Sequence, residues 1–571
     1  MVKKLLVYLI TSVISLPTLS ALDVERGQTV ISNDSMVVTR HYLASEIGNQ
    51  VLLEGGNAID ASVAISFALS VVLPQASPIG GGGFMIIHDA NNTKNFALDY
   101  REMAPKKATE DMFIVNGEVD RDLALESYLS SGVPGTVNGL YVVHQKFGSM
   151  SWKKLIQPAI ELATNGFIVT ETLARSLESY KDKLSKTPDG QEIFFKNGNI
   201  LQSGDLLVQT DLANTLKLIS DKGSDGFYKG ITAQKIHLDM SKNGGLITSN
   251  DLTNYEAKFR NPIEFSYKDL SVITMPPPSS GGLILGLMLN MIEQLELDHS
   301  DPHTSENILK ISEIMQIAYS LRSAYIADSD FYDVPENEFL NKDKAKQLLK
   351  NINLKSMSNA ERYDPIKFKF KENTTHYSVV DRFGNIVSTT TTLNTAFGSG
   401  VVINGTGILM NNEMDDFSAS PNQPNYFGLL GTYANRIEPL KRPLSSMTPT
   451  IVFKENKPYL VTGAQGGSRI ITAVLQIILN YYEFGLSAEE SVYKPRYHHQ
   501  WQPEHLMYEY FDDELIQELN EMGFNLYQRP ATYNFSNGIS SSIMFEGNNL
   551  IGVSDYRSDD YLSIGVNKND E

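Results

Sequence analysis

The sequence predicts a layered α/β or α+β architecture, and three observations predict it. Apolar residues recur at helical spacing through most of the first 355 residues. Beyond residue 374 the pattern changes to β-branched runs separated by turn signals, with a helical stretch among them. At 571 residues, with 42% hydrophobic and 20% charged, the chain holds enough apolar material for one large layered core or for several smaller ones.

The chain opens with Lys3 and Lys4, an apolar run from Leu5 to Leu16, then Pro17 and small residues up to Ser20-Ala21. This is the layout of a secretory signal peptide, and the run is shorter than the ~20 apolar residues that a spanning helix needs. Residues 1–21 are therefore set aside from the fold, and the mature chain is expected to be exported, to a periplasm or to the medium. There are no cysteines, so export brings neither disulfides nor a thiolate metal site. A formal charge of −19, made more acidic by loss of the two leader lysines, disfavours nucleic-acid binding and suits a soluble surface.

Helical spacing runs through Met36–Leu53, Gly55-Gly56 supply a stop, and Asn57 with Asp60 three residues on can cap a second helix over Ala58–Leu73. Gly80-Gly81-Gly82-Gly83 then lead into strand-like runs at Phe84–His88 and Phe96–Tyr100. No Lys-Ser/Thr follows these glycines and they enter a strand, so close backbone packing suits them better than a phosphate cradle. Residues 120–355 read mainly as helices, including Pro158–Thr164, Ser305–Ile326 and Lys342–Asn351, with breaks at Pro134-Gly135 and Pro276-Pro277-Pro278. Another apolar helix follows the proline run to about Leu295.

From Ser356 to Asn373 the chain is polar, with Lys367, Lys369 and Lys371, as suits a surface loop. His376–Val380 and Ile386–Leu393 then form a β-hairpin about a turn at Asp381–Asn385. Strands at Thr448–Phe453 and Tyr459–Thr462 precede a helix over Ile470–Tyr481, whose N-terminus lies at Gly466-Gly467-Ser468.

The chemistry is carried by Asn373-Thr374-Thr375-His376. A threonine hydroxyl is a poor nucleophile at neutral pH, and one way to activate it is to make it the first residue of a chain, where its own α-amine serves as base. That amine has a reference pKa of about 7.7–8.0. Cutting between Asn373 and Thr374 would create such a terminus at the head of a strand, and the Thr374 hydroxyl can make the cut itself. Attack on the Asn373 carbonyl converts the amide to an ester, which water opens. Taken alone, a Thr-Thr pair at a strand start equally reflects β-propensity.

Several segments in a fixed order resemble the small subunit of γ-glutamyltranspeptidases, also called glutathione hydrolases. They are residues 374–381 (TTHYSVVD), 392–395 (TLNT), 411–418 (NNEMDDFS), 442–447 (RPLSSM) and 466–469 (GGSR). Residues 55–61 (GGNAIDA), 81–84 (GGGF) and 99–102 (DYRE) extend the resemblance into the first half. It implies an α+β fold of the N-terminal-nucleophile hydrolase type, with two central sheets between helical layers in four αββα layers. It also implies a precursor cut into a large subunit, residues 22–373, and a small catalytic one, residues 374–571, interwoven as one globular heterodimer.

By this resemblance Thr374 is the nucleophile, Thr392 orients its hydroxyl, and Gly466 and Gly467 hold the oxyanion through their N–H groups. Arg101 with Ser445 and Ser446 binds the carboxylate of the donor, and Asn394, Glu413 and Asp416 bind its ammonium. The implied activity takes the γ-glutamyl group of glutathione or a related amide onto Thr374 and passes it to water or to an amino-acid or peptide acceptor, with no cofactor. Residues from Phe417 to Lys441 resemble a lid in which Phe427, beside Tyr426, stands where many members carry tyrosine. His376 and the cluster His498, His499, Glu504 and His505 receive no catalytic or metal role, and no HExxH spacing exists. Two other readings stand beside this one: an amidase of the same fold with glutaryl- or cephalosporin-acylase-like specificity, and an unprocessed, non-catalytic member.

Overall fold

Strand-forming runs from both halves of the chain interleave in two antiparallel sheets. The computed structural model describes residues 27–350, 352, 354–358, 374–420, 423–532 and 536–568. The leader, the lysine cluster at 367–371 and Asn373 lie outside them.

In chain order the sheet strands are β1 (Gln28–Ser32), β2 (Ser35–Thr39), β3 (Gly82–Asp89), β4 (Lys94–Tyr100), β5 (Lys258–Arg260), β6 (Ile263–Tyr267) and β7 (Leu270–Thr274). Then come β8 (Thr374–Val380), β9 (Ile386–Thr392), β10 (Thr450–Lys454), β11 (Lys457–Thr462), β12 (Ala464–Gln465), β13 (Ile539–Glu546), β14 (Asn549–Ser554) and β15 (Leu562–Val566). One sheet runs β5-β4-β3-β9-β8-β2-β15, and the other runs β1-β14-β13-β11-β10-β7-β6 with β12 beside β13. The helices that cover them include α1 (Tyr42–Leu53), α2 (Ala58–Val72), α3 (Thr136–Phe147), α4 (Trp152–Asn165), α5 (Thr210–Lys222), α6 (Gly281–Ile292), α7 (Ser305–Tyr325) and α8 (Ile470–Tyr482).

Period-two alternation sorts the side chains into layers. From the first sheet Val37, Met85, Ile87, Tyr377 and Val379 join the core under α1 to α5, while Met36, Val38, Phe84 and Ile86 meet Ile451, Val461 and Ile543 of the second sheet. The second sheet turns Val272, Val452, Leu460 and Met544 toward α6, α7 and α8. The result is the four-layer αββα sandwich. No helix among the described residues is long and apolar enough to cross a membrane.

The capping expectation at Asn57 holds. Its side chain accepts from the Ile59 and Asp60 amides, and Asp60 returns the bond to the Asn57 amide. The glycine run is a site of close packing: a Cβ at Gly81 would overlap the Thr392 carbonyl oxygen, and one at Gly83 the carbonyl oxygen of Thr390. Three expectations need correction. Met36–Val38 belong to a strand, and the first helix begins only at Tyr42; β2 is buried on both faces, so its apolar run lacks the alternation that marks a strand. The helix expected from Pro158 begins at Trp152 and carries Pro158 inside it. Residues 258–274, read among helices, form three short strands in which Ile263, Phe265 and Tyr267 alternate with Glu264 and Ser266.

The two sheets approach closely where Gly463 faces β8, for a Cβ there would overlap the ring of His376. Gly463→Val is therefore expected to destabilise the fold by about 1–3 kcal/mol through overpacking. Calorimetric unfolding checks this, and an unchanged transition would show that the sheets separate freely at this point.

Candidate active site

Hairpin pairing sets Thr374, the first residue of β8, opposite Thr392, the last of β9. Their hydroxyl oxygens lie 3.1 Å apart, and Thr392 Oγ1 accepts the Asn394 amide at 2.8 Å. The two hydroxyls thus share a hydrogen bond in which either can donate to the other. Both residues are buried. Arg40, just beyond β2, donates to the Thr374 carbonyl at 2.7 Å and fixes the peptide plane on which Thr374 sits.

Thr374 and Thr392 open into a narrow cavity whose lining includes Arg101, Asn394, Glu413, Asp416, Ser445, Ser446 and Gly467. The residues that the sequence singles out thus converge from segments far apart in the chain. Gly466 is not among the lining residues. It and Gly467 stand at φ +139° and +57°, in the left-handed region that favours glycine, and they lead through a short 3₁₀ turn into α8.

Arg101, one residue past β4, pairs with Glu413 at 2.8 Å and Asp416 at 2.5 Å, and Glu102 lies 3.6 Å away. Burial works against the charge on Arg101, but these carboxyls outweigh it and raise the guanidinium pKa above its ordinary value. Burial pushes the Glu102 carboxyl up to about 7 and the Glu413 carboxyl well above the usual range, with Arg101 opposing in both. One guanidinium cannot neutralise three buried carboxylates, so the cluster keeps a proton near neutrality. Asn394 stands at φ +75° and donates its amide N–H to the Asn412 carbonyl at 3.0 Å, which leaves Oδ1 as the acceptor of that amide.

The serine pair is splinted from the side of the proline run. The Ser445 amide donates to the Pro278 carbonyl at 2.9 Å, and the amide and hydroxyl of Ser280 donate to the Ser445 carbonyl at 2.8 and 2.7 Å. Arg322 of α7, which sequence reading passed over, lines the cavity too and donates to Ser446 Oγ at 3.0 Å. Burial lowers its pKa to about 10, against Tyr319 and Asp416, so it stays charged at neutral pH. Nothing in its local sequence distinguishes it from other helix arginines; only the tertiary contact does.

Phe427 covers the cavity, packed against Gly467 so closely that a Cβ there would overlap the ring. Its carbonyl accepts from Gln500 at 2.9 Å, and Asn425 donates to Asp416 at 3.1 Å. Tyr426 stacks edge-on to Phe427 at 5.3 Å and is not among the lining residues, so the ring over the site carries no hydroxyl. The lid is thus an apolar cover tethered by polar contacts at its rim.

His376 shares the strand with Thr374 but lies in the inter-sheet layer, with Nδ1 2.9 Å from Thr390 Oγ1 and Nε2 3.2 Å from Ser378 Oγ. His498 is likewise engaged by Thr472 at 2.8 Å and Gln500 at 2.9 Å. Among the described residues no group of three or more His, Asp or Glu side chains is placed to hold a metal ion.

Burial lowers the His376 pKa from 6.5 to about 3. The folded state therefore binds fewer protons than the unfolded one, and the stability contributed is complete above pH ~6.5 and lost as pH falls toward about 3, by about 1.4 kcal/mol per pH unit. His376→Gln is expected to remove that slope, so its unfolding free energy should fall less steeply than wild type between pH 6 and 4. Parallel profiles in denaturant titrations would contradict this.

Comparison with known proteins gives a consistent picture. A family model described as gamma-glutamyltranspeptidase matches residues 44–564. The chain is 44% identical over 542 residues to the glutathione hydrolase proenzyme of Escherichia coli (strain K12), covering 94% of this chain and 92% of that one. It is 39% identical over 561 residues to the glutathione hydrolase proenzyme of Bacillus subtilis (strain 168), covering 95% and 93%. Among solved structures, the cephalosporin acylase from Bacillus halodurans superposes with a TM-score of 0.84 at 25% identity over 98% of this chain and 99% of that one. A chain of Helicobacter pylori gamma-glutamyltranspeptidase superposes with a TM-score of 0.55 at 46% identity, covering 56% of this chain and 91% of its own length.

Proposed function

The chain belongs to the gamma-glutamyltranspeptidase family, and on that premise we propose that it is a self-processing γ-glutamyltransferase and glutathione hydrolase with Thr374 as nucleophile. The observation that carries this reading is the pairing of the Thr374 and Thr392 hydroxyls at 3.1 Å in a cavity that also holds Arg101, Glu413 and Asp416.

Maturation begins with attack of Thr374 Oγ1 on the Asn373 carbonyl. The C–N bond breaks as the ester forms, and water opens the ester to leave residues 22–373 with a C-terminal carboxylate and residues 374–571 with a free α-amine. In turnover that amine takes the hydroxyl proton as Oγ1 attacks the γ-carbonyl of the donor. The oxyanion is held by the N–H groups of Gly466 and Gly467, a kind of contact whose loss commonly costs ~10²–10³ in rate. Collapse expels the leaving amine with the proton, and water or an amino-acid or peptide amine then opens the γ-glutamyl ester.

The donor head is a zwitterion. Its carboxylate meets Arg101, Ser445 and Ser446, and its ammonium meets Glu413, Asp416 and Asn394 Oδ1. Within the protein Arg101 pairs with the carboxyls of Glu413 and Asp416, so substrate binding exchanges these contacts for contacts to the donor. The leader pattern supports export of the heterodimer. The overlay with a cephalosporin acylase favours a second reading, an amidase that ignores the donor α-amino group; the two acids at the site oppose it.

Thr374→Ala is expected to leave a single uncut chain with no γ-glutamyl anilide hydrolysis, against two wild-type fragments of which the smaller begins at Thr374. Intact mass and N-terminal sequencing decide this, and a cleaved, active alanine variant would overturn the mechanism. Arg101→Gln is expected to raise KM for γ-glutamyl donors and also to lower the unfolding temperature, because stripping buried carboxylates of their partner costs about 3–5 kcal/mol. Unaltered KM with a stable fold would remove Arg101 from the donor site.

A further inference from the structure

Two buried guanidinium groups line the cavity, and among the described residues only one of them makes an ion pair. Arg101 has Glu413 and Asp416 at 2.8 and 2.5 Å. Arg322 is 4% exposed, and its side-chain bonds go to hydroxyls: Nε donates to Ser280 Oγ at 2.8 Å and Nη2 to Ser446 Oγ at 3.0 Å. Among the described residues no carboxylate forms an ion pair with it. A buried arginine bonded to hydroxyls, with Asp416 acting on it only from beyond ion-pair distance, is a costly arrangement that an anion in the cavity would relieve.

The direction of the hydrogen bonds tells where that anion goes. Ser446 Oγ accepts from Arg322, and Ser445 Oγ accepts the Met447 amide at 3.1 Å. Each hydroxyl thus has a lone pair engaged and its own proton left to give. Ser280 is different, since its hydroxyl accepts from Arg322 and gives its proton to the Ser445 carbonyl at 2.7 Å, so it splints the guanidinium. Adjacent hydroxyls free to donate and backed by a cation with no ion-pair contact suit a carboxylate and disfavour an ammonium. The charges lining the cavity agree: Arg101 is held by Glu413 and Asp416, whereas Arg322 adds a positive charge behind the serine pair.

We propose that Arg322 determines specificity for the donor's α-carboxylate, by balancing its charge and by fixing Ser446 as a hydrogen-bond donor toward it. The inference rests on the reading of the cavity as a γ-glutamyl donor site. Arg322 acts in part through Ser446 and is in that respect a positioning residue.

The test compares Arg322→Gln and Arg322→Lys with wild type on L-γ-glutamyl-p-nitroanilide and on 4-aminobutyryl-p-nitroanilide, which lacks only the α-carboxylate. Arg322→Gln is expected to raise KM for the first donor at least about tenfold, the worth of a charge-assisted bond, with the effect falling mainly on KM rather than kcat. The kcat/KM for the second donor should change much less, and lysine should recover part of the loss. Ser446→Ala should add less in the Arg322→Gln background than in wild type. An unchanged KM, or an equal loss for both donors, would overturn the proposal. Self-cleavage to a fragment beginning at Thr374 serves as the folding check; if Arg322→Gln yields no cleaved protein, the two-donor ratio of Arg322→Lys decides in its place. A wild-type protein that is cut at Thr374 yet turns over neither donor would refute the reading of the cavity itself.

Discussion

The antiparallel register that sets Thr374 opposite Thr392 is the constraint on which the rest of the site depends. Side chains alternate across a strand, so a slip by one residue would turn Thr374 toward the helical layer and Thr375 toward the cavity. The register is held from both sides. On one, β9 pairs along its whole length with β3, matching Thr392 with Gly82 and Thr391 with Gly83, and the Thr391 hydroxyl donates to the Gly82 carbonyl at 2.9 Å. On the other, Ser378, Val379 and Val380 of β8 pair with β2, and Arg40 beyond β2 grips the Thr374 carbonyl. Gly81, just before β3, and Gly83 within it are part of this mechanism, because only a bare backbone lets the chain come so near the carbonyls of Thr392 and Thr390.

A second constraint ties the cavity-lining loops together through buried charge. Asp99, at the end of β4, accepts the Arg101 amide at 2.9 Å and Arg260 Nε at 2.7 Å, and it forms an ion pair with Arg442. The segment that presents Arg101 and the segment that presents Ser445 and Ser446 are therefore anchored on one carboxylate. Asp328 adds to the anchor by accepting the Arg442 amide at 2.9 Å. A buried ion pair of this kind contributes little net stability, but breaking it strands a charge, so the two loops are fixed relative to each other more than they are strengthened.

Much of this was legible in the sequence, and the exceptions have physical reasons. The hairpin from Thr374 to Thr392 and the cap at Asn57 are local, written in turn residues and spacing within a few positions. The convergence of Arg101, Asn394, Glu413, Asp416 and the serines followed from a family pattern and not from periodicity, since residues 315 apart in the chain, such as Arg101 and Asp416, meet only through tertiary structure. β2 was hidden because burial on both faces erases alternation. Arg322 was hidden because its meaning lies wholly in Ser280, 42 residues before it, and Ser446, 124 residues after it.

The lid completes the electrostatic logic. Charged groups attract far more strongly where water is excluded, and the Phe427 ring packs over the cavity on the side of Gly467. A tyrosine there would add a hydroxyl needing a partner on closing; phenylalanine closes by apolar contact, with its fixings at the rim, where Asn425 holds Asp416 and Gln500 holds the Phe427 carbonyl. The tether to Asp416 matters most, because that carboxylate also pairs with Arg101. On the proposed reading, a donor ammonium that draws Asp416 toward itself shifts a lid contact and an Arg101 contact at once, so occupancy of the head-group site and closure over the nucleophile are coupled through a single side chain.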